Sequence, residues 1–279
     1  NYCWSHFVFR NFAYLCYWFT HLDRCPYEIW KKIKIKMDVL NNPKYSYLIK
    51  KQPFYYKIFK TLFYYYSKTV FKIYTPVTVK GQENIPNDSF IACSNHNSHL
   101  DVALLSVSTK KNYNQMAMLA AKDYFFDSWI RRLSINMVMN LIPIDRKVNG
   151  VRNFSIENTL SLCKAFMDFE KRNLIMFPEG TRGNPGELLP FHLGTAKFSI
   201  YLNKPILPAV IYGSHLVWPR GKIFFSWPKK IKVIILKPIY PNRFLKEKNP
   251  SEDSIQKATK KMTEFLENQI KEKIKLLYG

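Results

Sequence analysis

The sequence predicts an α/β fold, a largely parallel or mixed sheet flanked by helices, and three observations carry that expectation. From residue 77 onward, short apolar runs alternate with stretches of helical period, the pattern of strands joined by helical crossovers. Reactive polar residues cluster directly after several of those runs, at the strand ends where open α/β sheets bind ligands. The chain has 279 residues, 47% of them apolar and 16% aromatic, enough to bury a core of that size without disulfides or metal.

The N-terminal segment, residues 1–76, differs from the rest of the chain. Through residue 80 the chain carries 14 Lys/Arg against 3 Asp/Glu, a net of +11, interleaved with Phe, Tyr and Trp. Its longest apolar run, Asn11–Thr20, is about half of what a membrane-spanning helix needs. Pro53–Tyr74 has helical period: Lys57, Lys60, Lys68 and Lys72 fall on one face, and Phe59, Leu62, Tyr66, Val70 and Ile73 on the opposite one. Such a helix is about 33 Å long, and Pro76 stops it. Lysines on one side and tyrosine-rich apolar surface on the other suit a helix lying in a membrane interface. Residues 1–76 are therefore expected to associate with an anionic membrane surface, and 77–279 to form the α/β domain, with its motif core at about 77–240.

Within that domain Phe90–Cys93 reads as a strand, followed by a polar loop and a helix beginning near Asp101. Gln115–Ala121 and Met137–Ile144 are further strands. Arg152–Lys171 is helical, with Ile156, Leu160, Cys163 and Met167 spaced by 4, 3 and 4. Leu174–Phe177 is a strand entering a Gly/Pro loop, and Phe191–Leu202 a helix. Ile206–Tyr212 is a strand, Ile223–Ser226 with Lys232–Ile235 suggest a hairpin, and a charged helix covers residues 252–277.

Lys+Arg 43 against Asp+Glu 20 gives +23, which calls for an anionic partner: nucleic acid, an acidic membrane face or a phosphorylated small molecule. A basic nucleic-acid binder lacks support, because no RNP1, KH or helix-turn-helix signature is present. Five scattered cysteines with no C-x-x-C pair provide neither a disulfide nor a zinc framework and fit a reducing compartment.

Three loops hold the chemistry. In Ser94–Asp101, Ser98 and Asp101 have the spacing of a capping box that would fix the loop on the following helix. A carboxylate at Asp101 can reach one ring nitrogen of His96 and leave the other as a proton acceptor, the arrangement of an oriented general base. A single His-x4-Asp is common by chance, so spacing alone does not make it a site. In Phe177–Arg182, glycine permits close backbone approach and the Arg182 fork suits a phosphate. Asp145-Arg146-Lys147 places two more cations at a strand end. His96 and His99 lack further ligands at zinc spacing, so no metal is expected.

Asn95-His96-x4-Asp101, Ile144-Asp145-Arg146, Phe177–Arg182 and Pro205–Pro208 occur in the order of the four blocks of the glycerolipid acyltransferases, which the chain resembles over about residues 77–240. Pro190–Lys197 is similar to the helix after the third block. One position departs: Asn140 stands where these enzymes usually carry Gly, a residue type whose backbone range Asn tolerates better than most. The resemblance implies transfer of a fatty acyl group from a thioester, acyl-CoA or acyl carrier protein as co-substrate and no other cofactor. The acceptor is the free hydroxyl of 1-acyl-sn-glycerol 3-phosphate, with another lysophospholipid or glycerol 3-phosphate as alternatives. It assigns His96 as base and Asp101 as its orienter. Asn95, Arg146, Phe177, Glu179, Gly180, Thr181 and Arg182 become substrate-binding residues, Glu179 orienting an arginine or accepting from a glycerol hydroxyl. It further implies an enzyme on the cytoplasmic side of a bacterial inner membrane or endoplasmic reticulum. A scaffold that kept this fold and lost activity is the other reading, opposed by intact His96, Asp101, Glu179 and Arg182.

Overall fold

The computed structural model describes residues 37–121, 133, 135–145, 154–184, 187–218, 226 and 229–278. Asn11–Thr20, Arg146, Lys147 and Ile223 therefore lie outside the described residues, as do Cys3, Cys16 and Cys25.

Seven strands form one sheet: β1 Val77–Lys80, β2 Ile91–Ser94, β3 Met116–Ala121, β4 Asn140–Ile144, β5 Asn173–Met176, β6 Ile206–Tyr212 and β7 Ile231–Ile235. Their spatial order is β1-β7-β6-β2-β5-β3-β4. β6, β2, β5, β3 and β4 run parallel; β7 pairs antiparallel with β6 and parallel with β1. β2 is buried along its whole length and β6 along all but its last residue, as strands covered on both faces must be. This is the expected α/β sheet in its mixed form. The hairpin is not: β7 already has β1 on one edge and β6 on the other, so no edge of it remains for a hairpin partner. β1, which carries no long apolar run, is the strand the sequence conceals.

Among the described residues the helices are α1 Met37–Asn41, α2 Ser46–Ile49, α3 Phe54–Ile73, α4 Asp101–Ser108, α5 Ile156–Asp168, α6 Gly194–Leu202, α7 Ser214–Val217 and α8 Glu252–Tyr278. α5 begins on an N-cap at Ser155, whose hydroxyl accepts from the N–H of Asn158. α6 ends at Asn203, which takes a left-handed conformation at φ 50°.

Residues 37–76, expected to stand apart, share the single core. Val39, Tyr45, Tyr47, Leu48 and Phe71 are buried in the same cluster as the sheet, and the Tyr47 hydroxyl donates to the carbonyl of Leu141 in β4 at 2.8 Å.

α3 forms where expected but is docked by a different face. Lys60, expected in solvent with the other lysines, is 0% exposed. Its Nζ donates to Oε1 of Gln52 at 2.9 Å and to Oδ1 of Asn140. Ser67 bonds Tyr113 at 3.1 Å, and Phe63, Tyr64 and Phe71 complete the docked face. Burial and the nearby Arg172 guanidinium push the Lys60 amine down to about 7. The helix therefore has two apolar faces. One is held to the protein through a satisfied polar seam; the other, with Phe59, Leu62, Tyr66 and Ile73, stays open, Leu62 being 61% and Ile73 74% exposed.

Asn140 explains its own departure. Its Nδ2 donates to the carbonyls of Tyr113, Asn114 and Met116 at 2.9, 3.2 and 2.9 Å, and its Oδ1 accepts from Lys60 and from Gln52, the latter at 2.6 Å. No glycine-like backbone is involved, since Asn140 is not among the residues at positive φ. The side chain itself ties β4, the segment before β3 and α3 together.

Candidate active site

The loops after β2, β5 and β6 meet at the carboxyl ends of the parallel strands, beside β2, where the chain crosses from β5 on one side of it to β6 on the other. Asn95 leads the first loop. Its Nδ2 donates to the carbonyl of Ile211 and its Oδ1 accepts that residue's N–H, both at 2.9 Å, with the side chain buried. Both ends of the carboxamide bond β6, so Asn95 anchors the loop on that strand.

Asp101 is 1% exposed at its side chain and opens α4. Its Oδ2 accepts from His96 Nδ1 at 2.9 Å and from the backbone N–H groups of Asn97 and Ser98 at 2.8 Å each. A carboxylate only accepts, so Nδ1 carries the proton and Nε2 of the imidazole, whose side chain is 18% exposed, is the basic nitrogen. Half of the expected capping box is present, the Asp101 carboxylate on the Ser98 N–H. The other half is replaced: the Ser98 hydroxyl donates to the carbonyl of Trp218 at 2.7 Å and accepts from the Leu100 N–H at 3.2 Å.

The second loop closes on the first. The Phe177 ring stacks on His96 at 3.9 Å and 13°. Glu179, 2% exposed, accepts the His96 N–H at 2.8 Å through Oε1 and the Leu189 N–H at 3.0 Å through Oε2. Gly183 N–H donates to the carbonyl of His96 at 2.9 Å. Both carboxylate oxygens of Glu179 thus accept from backbone N–H groups, a fastening role that its place in the motif does not announce. It fastens the two loops together. Burial pushes its carboxyl above the usual carboxylate range, while the two N–H groups pull it back.

Gly180 stands at φ +67°, and a Cβ there would lie 3.0 Å from His192 Cδ2, so the turn requires glycine. Gly180 and Thr181 are exposed at its tip. Arg182 follows, its Nη1 donating to Nε2 of His99, and the His99 ring packs against Trp218 at 5.0 Å. His96 and His99 thus each commit a ring nitrogen to a partner other than each other. Asp145, at the end of β4, accepts the Phe154 N–H at 2.8 Å.

The structure brings together His96, Asp101, Phe177, Glu179 and Arg182. Sequence reasoning missed the roles of His99, Trp218 and Leu189. Its only signal for His99 was proximity to His96, which pointed toward a metal and not toward Arg182. Cys93 and Cys163 are fully buried, and burial pushes both thiols well up, away from nucleophilic use.

Residues 76–212 match the family model described as Acyltransferase. The chain is 30% identical over 173 residues to a 1-acyl-sn-glycerol-3-phosphate acyltransferase of Cocos nucifera, covering 62% of this chain and 53% of that one. It is also 30% identical over 175 residues to the Saccharomyces cerevisiae enzyme of the same name, covering 62% and 54%. The chain thus spans about half the length of these relatives. The crystal structure of the 1-acyl-sn-glycerophosphate acyltransferase PlsC from Thermotoga maritima superposes with a TM-score of 0.57 at 24% identity, covering 80% of this chain and 81% of that one, a likeness of fold.

Proposed function

Since the chain belongs to the glycerolipid acyltransferase family, we propose that it transfers a fatty acyl group from acyl-CoA or acyl carrier protein to the free hydroxyl of 1-acyl-sn-glycerol 3-phosphate. The observation that carries this reading is the His96–Asp101 pair at 2.9 Å, fastened by Glu179 to the loop that bears Arg182.

The mechanism rests on these residues. An alcohol is a poor nucleophile until its proton is taken in the transition state, a service worth about 10² to 10⁴ in rate. His96 Nε2 removes the proton as the glycerol oxygen attacks the thioester carbonyl, and Asp101 stabilises the imidazolium that forms. A C–O bond forms, the C–S bond breaks, and the imidazolium returns its proton to the departing thiolate. Direct attack is supported by the burial of Cys93 and Cys163 and by the absence of a G-x-S-x-G serine. Arg182 holds the acceptor phosphate with its planar fork, joined by Arg146, which lies outside the described residues.

The partner is an anionic membrane surface. Among the described residues no helix is long and apolar enough to cross a membrane. The open stripe of α3 supports an interfacial seat instead: Phe59, Leu62 and Tyr66 face outward, flanked by exposed Lys57, Lys68 and Lys72. The stripe ends at Ile73, beside residues leading into β7; Lys232 of β7 pairs with Tyr212, the last residue of β6, so it reaches the sheet end that holds the site.

Product mass spectrometry tests the reading. With mixed lysolipids in anionic vesicles and acyl-CoA or acyl carrier protein thioester, the protein is expected to sediment with the vesicles and yield phosphatidic acid as its main product. A different diacyl product, or acyl transfer unaffected by removing the vesicles, contradicts the corresponding part.

A further inference from the structure

We infer that His99 is a positioning residue for the acceptor's phosphate: its Nε2 accepts a hydrogen bond from Nη1 of Arg182 while its ring leans on Trp218, and this contact aims the guanidinium at the ligand. The inference rests on the reading of Arg182 as a phosphate-binding arginine. Arg182 follows an exposed turn tip, and an arginine side chain there has many rotamers to lose on binding. A neutral acceptor that fixes one guanidinium N–H orients the fork toward an anion. A carboxylate in that position would also orient the fork but would cancel its charge; an imidazole orients without neutralising.

The prop is itself braced. Ser98, its neighbour, is held through its hydroxyl to the Trp218 carbonyl at 2.7 Å and through its N–H to Asp101 at 2.8 Å. The His99 ring lies 5.0 Å from that of Trp218 at 40°. The same carboxylate that orients His96 therefore fixes the turn that carries His99, so base and phosphate clamp share one support.

Among the described residues, the charged groups facing His99 are Arg182 from the loop after β5, and His96 and Asp101 from the loop after β2. Burial, then Arg182 and His96, lower the His99 pKa below its ordinary 6.5, against Asp101. Neutral at pH 7, the ring accepts from Arg182. As pH falls through the lowered value both ring nitrogens become donors, the bond is lost and repulsion replaces it.

The test measures glycerol 3-phosphate binding to the full chain by calorimetry from pH 5 to 8, without thioester, for wild type, His99→Leu and His99→Gln. At pH 7.5, His99→Leu is expected to bind about tenfold more weakly. His99→Gln, whose amide oxygen accepts and does not titrate, stays within about twofold. Toward acid, wild type loses affinity relative to His99→Gln; the phosphate's own titration is common to both. Equal affinities in all three proteins, equal losses in both variants, or no binding by wild type overturns the inference. Acyl transfer is assayed separately. A wild type that transfers acyl groups while its binding ignores His99 removes this inference and leaves the proposed function. One that binds through His99 but transfers nothing does the reverse.

Discussion

Replacing His96 with alanine is expected to lower acyl transfer at least about 100-fold at saturating concentrations of both substrates, while the unfolding temperature stays near that of the wild type. The loss is in kcat because the imidazole acts only as the glycerol oxygen gives up its proton. Stability is spared because His96 sits at the cleft, its ring partly exposed, and the loop is held by backbone contacts that alanine keeps: His96 N–H to Glu179, and Gly183 N–H to the His96 carbonyl. The Asp101 carboxylate would still accept the N–H groups of Asn97 and Ser98. A variant retaining more than a tenth of wild-type activity would mean that another group takes the proton.

Glu179→Ala is expected to cost about 100-fold in kcat although Glu179 is assigned no contact with substrate, because it alone joins the His96 N–H to the Leu189 N–H. Removing the carboxylate leaves two backbone donors unpaired in a buried place, a penalty of about 1–3 kcal/mol for each. The loops then shift against each other, still joined by the Gly183 N–H on the His96 carbonyl, and a displacement of the base by about 1 Å is enough for a loss of that size. Thermal unfolding should show the accompanying destabilisation, which distinguishes this variant from His96→Ala. A Glu179→Ala protein with wild-type stability and a raised acceptor KM alone would instead make Glu179 a ligand for the acceptor.

The sheet was legible where strands are apolar throughout. Ile206–Tyr212 matches the expected strand, and β2, β3, β4 and β5 lie within two or three residues of their expected bounds. β1 escaped because its pattern alternates and is short, Val77 and Val79 being half-buried between exposed Thr78 and Lys80. The periodicity of α3 located the helix and its two-sidedness, but not which side docks. Summing apolar residues on a wheel misses a face whose centre is a lysine, and only the partners contributed by Gln52 and Asn140 make that face the buried one. At the site, the pairing of His96 with Asp101 was readable from spacing because both belong to one turn. The tasks of Asn95 and Glu179 were not, since their hydrogen-bond partners, Ile211 and Leu189 together with the His96 backbone, are supplied by chain folding and leave no trace in the motif itself.

The most direct measurement is a crystal structure of the full chain with 1-acyl-sn-glycerol 3-phosphate bound. The free glycerol hydroxyl oxygen is expected within about 3 Å of His96 Nε2, with the phosphate on the Arg182 guanidinium. A hydroxyl turned to a different side chain, or a phosphate seated away from the 177–184 loop, would overturn the assignment of base and clamp.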